Sequence, residues 1–596
     1  MALSSSVPIE ARWRARAIDA AIFVGLFLAY LAWLLVSARD LGYARDEGFY
    51  FHAAQTYGRW FEILFTHPAR AFEPGTVDRY WEENHEHPAL LKSLFWASQH
   101  WLEGRFFAER GTAYRFPAMV LSSLAVAITF AWGRRCIGRA GGVVAALSFA
   151  LMPQVFYHSH LACFDMPIAA MWLFVAAAYH RSLERGAVGW AFVCAILYGL
   201  ALDTKHNAWF LPSALVAHAI LLEVPGLLQR WRGQGRARSP VGAYWQARRA
   251  RVPYAILLMA LLGPLVFYAL WPWIWRDTLP RLEEYVRFHM QHVYYNMEFL
   301  GKTYFEPPFP RSYAWVMTFA TVPAITLLMA ALGAGVVLGR SWRRQRPLAS
   351  DGANEGAGEV VRGAPRPGGW ASLWALCILV SYGPWVLTST PIFGGTKHWL
   401  TAYPFVALFA GQGFAWLRGL LAAQLPAARQ KRMLFAWGLG VCTLLGPLVM
   451  TWRSHPWGLS AYTPLVGGAP GAATLGLNRS FWGYTTGSVA NYLNGAADEG
   501  ARVFVHDTAM DSFRMLQKDG RLRSDLKPWW TVSGSKFGLY HHEQHMSRVE
   551  HMTWVDYGTV TPAHVATYDG VPMIWVYRRG YTGPGSAAAD SDQPPM

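Results

Sequence analysis

The chain has 596 residues, 53% of them hydrophobic and only 15% charged, which excludes a disordered chain, a small disulfide scaffold and a fibrous repeat. Thirty tryptophans and 15% aromatics point to a membrane or a large buried core, while a mean hydropathy of +0.16 requires that a sizeable part be wet. The formal charge of +16 admits nucleic acid, anionic lipid or arginine-rich cytoplasmic loops, and position along the chain decides among them.

A bilayer core of about 30 Å takes roughly 20 apolar residues per helix. About eleven such stretches occur, near 17–37, 114–133, 140–157, 162–180, 187–202, 207–223, 252–274, 312–338, 370–388, 398–417 and 433–452. The first reads as a retained anchor, because it is long and no small-residue cleavage site precedes Arg39-Asp40. Threading the spans alternately places Arg12, Arg14 and Arg16 on one side with Arg134, Arg135, Arg139, Arg181, Arg185 and the arginine-rich loops near 230–251, 340–346 and 429–432. That side is cytoplasmic by the positive-inside rule, so the positive charge is topological and nucleic acid is not the partner.

The other side receives the loop 38–112, where acids outnumber bases, and everything after 452. The stretch at about 345–369 is small, polar and Gly/Pro-rich, and reads as a disordered cytoplasmic loop. From 453 to 580 the texture is mixed, with strand-like runs at 502–505 and 573–577 and a helical run at 510–518, so a small extracytoplasmic α/β domain is expected. Residues 581–596 read as a disordered tail. The five cysteines lie in or beside the spans and imply no disulfide framework.

Charged groups at a membrane edge are costly unless paired or working. Four outer-side clusters stand out: Arg45-Asp46-Glu47, then His85-Glu86-His87-Pro88 with Lys92, then His158-Ser159-His160 with Asp165-Met166-Pro167, and lastly Asp203-Thr204-Lys205-His206 with Gly394-Gly395-Thr396-Lys397-His398. Taken alone, Asp46 and Glu47 also read as first-turn acids of a surface helix, and the lysines as snorkelling anchors. His541 and His545 have i,i+4 spacing, but the His-Glu-x-x-His order of metalloproteases is not met. His218, inside a span, reads as a packing residue. Neither a Walker A loop nor a dinucleotide fingerprint is present, so a nucleotide sugar or ATP is not the expected substrate.

An acidic pair just after the first span, a His-Pro-x-x-x-Lys motif in the same loop and an Asp-x-Pro at the second outer loop resemble the GT-C glycosyltransferases. The nearest subset is family 39, with its protein O-mannosyltransferases and lipid A aminoarabinose transferases. The likeness is most specific over about 40–210, and His455-Pro456-Trp457 with Gly467-Gly468 is similar to the tail of many bacterial members. Ala89 stands where the family usually has a second proline, and His87 where the aminoarabinose branch has lysine.

The resemblance implies a polytopic α-helical GT-C fold over 1–452 in a bacterial-type inner membrane, with the N-terminus cytoplasmic and the 453–580 domain periplasmic. It implies inverting transfer of one sugar from a polyprenyl-phosphate donor to an acceptor outside. A phosphate leaves without a general acid, so one base and several phosphate-holding cations suffice. Adjacent side chains do not share a face, so Asp46 is expected as the base, with Glu47 as its catalytic partner or orienting group. Arg45, His87, Lys92, Lys205, Lys397 and His398 are the expected donor-phosphate contacts. Asp165, Glu86 and His160 are expected near substrate or a divalent metal ion. The rival class is a transporter or flippase, which would put charges near the midplane in two matching halves.

Overall fold

In a computed structural model, the protein is described over residues 9–185, 187–231, 254–345, 369–424 and 429–583. The expected disordered loop at about 345–369 and tail at 581–596 fall almost wholly outside the described residues, as does most of the arginine-rich loop near 230–251.

The transmembrane part begins with α1 (Ile9–Ser37). After a tight turn come α2 (Arg45–Thr66), which carries the acidic pair in its first turn, and α3 (Leu90–Leu102). These two helices are half polar and lie within the expected outer loop. Next is α4 (Arg110–Ala150), a single long helix in outline that Gly138 breaks with φ +85°. Where the sequence reads as two spans, 114–133 and 140–157, one helix runs on to Ala150 with a kink, because a left-handed glycine interrupts the ladder without a loop. α5 (Pro153–His160) and α6 (Asp165–Arg185) meet at 107° across four residues, and Asp165 is the first residue of α6.

Three shorter apolar helices follow, α7 (Val188–Leu202), α8 (Leu211–Trp231) and α9 (Tyr254–Leu270). The polar α10 (Thr278–Met290) leads into a small antiparallel hairpin, β1 (Met297–Phe299) with β2 (Lys302–Tyr304). α11 (Tyr313–Thr321) and α12 (Ala324–Gln345) form a second bent pair at 116°. α13 (Gly369–Tyr382), α14 (Tyr403–Ala422) and α15 (Arg429–Ser454) complete the bundle. Among the described residues, five helices are long and apolar enough to cross a membrane, or seven if each bent pair counts as one span. The count of about eleven is not reached because several stretches fold as shorter or broken helices.

Residues 502–578 form a five-stranded sheet in the order β4-β3-β5-β7-β6, with β3 (Arg502–Phe504), β4 (Lys527–Trp529), β5 (Phe537–His541), β6 (His564–Tyr568) and β7 (Val571–Arg578). β3 runs parallel to β4 and β5, whereas β7 is antiparallel to β5 and β6. Between β3 and β4 lies α16 (Asp507–Lys518), and between β5 and β6 lies α17 (Ser547–Tyr557). One apolar cluster runs continuously from Tyr43, Phe51 and Phe95 to Val503, Phe513 and Ile574, so the sheet unit and α2 share a core. Polar ties reinforce it. Asp519 accepts from the Tyr43 hydroxyl and from Gly111 N–H at 3.1 Å, and Arg521 donates to Leu41 O at 2.7 Å.

α4 sets the polarity of the bundle. Arg115 near its start pairs with Glu47, while Arg139 near the break pairs with Asp19 of α1 at 2.7 Å. A helix rises 1.5 Å per residue, so Arg115 and Arg135 stand about 30 Å apart, a bilayer core's width. The acidic pair and the arginine-rich edge therefore occupy opposite ends of the bundle.

Candidate active site

The first turn of α2 separates the two neighbouring carboxylates as adjacent helical positions must. Glu47 is fully buried and both oxygens are saturated. Oε1 accepts from Arg115 Nε at 2.7 Å and Ala162 N–H at 3.0 Å, and Oε2 from Arg115 Nη2 at 2.7 Å and Ala44 N–H at 2.9 Å. An ionised carboxylate has about four lone-pair sites, so none remains for a substrate. Glu47 is thus a clamp joining α1's exit, α2, α4 and the α5–α6 turn. In this geometry Glu47 offers a reactant no free acceptor site.

Asp46 faces a different surrounding. Its Oδ2 lies 3.5 Å from Lys397 Nζ, a loose pair that leaves acceptor capacity open. Lys397 arrives on the Gly394-Gly395-Thr396 turn, where φ values of +72° and +61° require glycine. Its ammonium sits 3.9 Å from the Trp482 ring centroid and 4.9 Å from that of Phe393. Trp482 itself holds φ +65°, an uncommon state for a bulky residue, and its carbonyl accepts Arg45 N–H at 2.8 Å at the start of α2.

A second acid and lysine stand beside this pair. Asp165 is buried at the start of α6 and takes Lys205 Nζ at 2.6 Å. His158, on the last turn of α5, feels both Asp165 and Lys397. From the α10 side come His289 and His292, with His206 stacked on His289 at 4.0 Å and His87 at 5.6 Å from it. Burial and the neighbouring lysines hold His87 well below the usual imidazole range, and burial pushes His289 down to about 3. The result is a cluster of two carboxylates, two lysines and several neutral imidazoles at one end of the bundle.

Several expected contacts lie elsewhere. Lys92 is fully buried and donates to Asn84 O at 2.5 Å and His87 O at 2.8 Å, so its ammonium is turned to the 84–87 loop. His398 Nε2 is stapled to the backbone of Phe393, 3.0 Å from its N–H, so that nitrogen is taken. Arg45 stacks on Phe49 with its guanidinium carbon 5.4 Å from the ring centroid. His160 has both nitrogens engaged, Nε2 2.9 Å from Ser37 Oγ and Nδ1 2.8 Å from Phe156 O, so it packs α5 against α1. Glu86 accepts from Asn84 Nδ2 at 2.6 Å. Asp46 and Asp165 each face a lysine, and among the described residues no group of three His, Cys, Asp or Glu side chains could hold a metal ion. The donor set does not fit a divalent ion, against that expectation. The His541–His545 pair likewise forms no metal cluster. His541 Nδ1 is 2.6 Å from Thr485 Oγ1, and His545 lies between Glu298 and Glu543.

Residues 95–232 match the family model for dolichyl-phosphate-mannose-protein mannosyltransferases. Over this stretch the chain is similar to that family. Two solved structures are similar to the chain. One is ArnT from Cupriavidus metallidurans bound to undecaprenyl phosphate, at 16% identity over 95% of this chain and 100% of that one, with a TM-score of 0.43. The other is the archaeal oligosaccharyltransferase AglB from Archaeoglobus fulgidus in complex with an inhibitory peptide and a dolichol-phosphate, at 11% identity over 92% of this chain and 72% of that one, with a TM-score of 0.46. No curated protein matches the sequence significantly.

Sequence reasoning did not single out Arg115, His289, His292 or Trp482. Arg115 carried a usable signal, a lone arginine opening an apolar run. His289 closes a polar helix and His292 follows two residues past its end, a weaker sign. Trp482 carried none, being one of thirty tryptophans.

Proposed function

We propose that the protein is an inverting glycosyltransferase that moves one sugar from a polyprenyl-phosphate donor to a hydroxyl acceptor on the extracytoplasmic side of the membrane. The observation that carries this reading is the Asp46 carboxylate, with open acceptor capacity, held 3.5 Å from Lys397. In this reading the acceptor oxygen attacks the anomeric carbon and gives its proton to Asp46. The new C–O bond forms as the bond from the anomeric carbon to the phosphate oxygen breaks, and the electron pair leaves with the polyprenyl phosphate. Lys397 and Lys205 hold the departing phosphate as point charges, and no general acid is required. His87 stands within electrostatic reach of both lysines, and its buried Nδ1 has no hydrogen-bond partner among the described residues, suited to a phosphate oxygen.

The family 39-like match supports a lipid-phosphate donor. The end-to-end polarity of α4 supports the side of the reaction, because the arginine-rich end is the cytoplasmic one by the positive-inside rule. A transporter would need its charges at mid-bundle, whereas these gather where helices begin. The test is full-length Asp46→Asn protein in nanodiscs, which should bind undecaprenyl phosphate like the wild type and lose transfer from polyprenyl-phosphate sugars. Normal turnover by that variant removes Asp46 from the base role.

A further inference from the structure

Lys92 spends its ammonium on two loop carbonyls and Lys205 on Asp165 at 2.6 Å, whereas Lys397, among the described residues, makes only the long 3.5 Å bond to Asp46. A buried ammonium with no close acceptor gives up hydration for little return, so another group must hold it. That group is aromatic. Lys397 Nζ lies 3.9 Å from the Trp482 ring centroid and 4.9 Å from that of Phe393. A ring face attracts the cation through its quadrupole and leaves the N–H groups free for a stronger acceptor.

Trp482 belongs to the segment between α15 and β3, and its backbone is held in an unusual state. Trp482 and Gly483 are left-handed in succession, with φ +65° and +63°, which a bulky residue adopts only where its surroundings impose it. They do so from two sides. Trp482 O accepts Arg45 N–H at 2.8 Å, and Gly483 O accepts Thr486 N–H at 3.2 Å and Thr486 Oγ1 at 2.7 Å. A Cβ at Gly483 would meet Thr508 O at 2.5 Å and Ala509 Cα at 2.8 Å, so the turn is wedged between the first turn of α2 and the start of α16. The lysine is seated as closely. A Cβ at Gly394 would meet Lys397 Cε at 2.6 Å, so the side chain lies along its own glycine turn with its ammonium under the indole.

We propose that Trp482 is a positioning residue, whose ring seats the Lys397 ammonium with its N–H groups open to the phosphate of the lipid-linked donor. The inference rests on the transferase reading and gives the segment after α15 a part in it. Trp482 acts through Lys397 and needs no contact with the phosphate itself. A carbonyl or carboxylate in place of the ring would spend an N–H of the ammonium, and an aliphatic side chain would leave the buried charge without support. The Trp482 carbonyl has a separate task, since its bond to Arg45 N–H ties the first turn of α2, and so Asp46, to the same strained turn. Replacing the side chain therefore tests the ring while the backbone bond stays available.

The experiment is a double-mutant cycle on the full-length protein in nanodiscs, with Kd for undecaprenyl phosphate as the readout. Trp482→Leu should weaken binding about fivefold and Trp482→Phe, which keeps a ring with a weaker quadrupole, about twofold. In a Lys397→Met background neither change should weaken binding further, because the cation they serve is gone. A purely structural tryptophan would not show that dependence. Should Trp482→Leu fold poorly, Trp482→Phe carries the same cycle. Losses as large without Lys397 as with it overturn the inference, as does wild-type affinity in both Trp482 variants. A wild type that fails to bind undecaprenyl phosphate, or binds it no tighter than Lys397→Met does, is a separate result that overturns the phosphate role of Lys397 itself, and this inference with it.

Discussion

Two acid–base pairs sit one residue apart on α2 and behave in opposite ways. Glu47 and Arg115 meet in a bidentate fork at 2.7 Å, wholly buried, with every carboxylate lone pair spent. Asp46 and Lys397 stand 3.5 Å apart, with the Asp46 side chain 24% exposed and the Lys397 side chain 5%. The first geometry is that of a structural clamp, and the second leaves acceptor capacity open, as the proposed base requires. The difference teaches that charge at a membrane edge has two uses, and that saturation of hydrogen-bonding capacity distinguishes them better than burial or motif does.

Exchanging the two acids for their amides is the sharpest way to break the comparison. Asp46→Asn should lower the transfer rate by about a hundred- to ten-thousandfold, the usual worth of a positioned general base, and leave the melting temperature near that of the wild type. Glu47→Gln should do the reverse at first order. It strands the Arg115 guanidinium and should cost about 3–5 kcal/mol of stability, read by thermal unfolding in detergent. Replacing both partners, Glu47→Leu with Arg115→Met, should recover much of that loss because no buried charge is then left alone. A stable Glu47→Gln protein with abolished transfer would return Glu47 to the reacting group and dissolve the distinction.

Much of this contrast could be read in advance and part of it could not. Apolar runs of bilayer length announced the helices, since burial in lipid or protein imposes the same composition. The position of Asp46 after the first span and the motif around His87 were equally visible. Which of two adjacent acids faces the reactant was not, because that depends on Arg115, nearly seventy residues away, as the partner of Glu47. Lys92 and Lys397 look alike as lysines at an outer edge, yet one reaches loop carbonyls and the other an aspartate. His289 and Trp482 enter from distant segments whose approach is a property of packing. Helix breaks were legible in part: a turn was expected between 157 and 162, where α5 and α6 meet at 107°, whereas the end of α4 at Ala150 and the short α5 were not.

A smaller effect separates the lysines proposed to hold phosphate from the basic residues that lie nearby. Lys397→Met and Lys205→Met should each weaken binding of undecaprenyl phosphate about tenfold, roughly 1.4 kcal/mol, with the loss growing at low ionic strength. Arg45→Ala should change that affinity by no more than about twofold, because the Arg45 guanidinium lies on Phe49 and makes no designed contact with the cluster. Equal losses in all three would mean that a diffuse positive field, and not placed ammonium groups, attracts the lipid.

The subtlest prediction concerns Lys92, which belongs on the clamp side of the comparison. Burial pushes its ammonium down to about 7, against the upward pull of Glu86, Asp203 and Glu83. An unfolded lysine titrates near 10.4, so between about pH 7 and 10 the unfolded chain binds more protons than the folded one. Stability contributed by this group therefore rises with pH across that window and is flat at its lowest value below it, where both states are charged. Lys92→Met removes the titration together with the hydrogen bonds to Asn84 and His87, the latter a loss that does not vary with pH. The melting temperature of the wild type minus that of Lys92→Met should then climb from pH 7 to pH 10. A difference that stays constant or falls would show an ammonium that remains solvated and free to meet phosphate, which would move Lys92 from the clamp to the site.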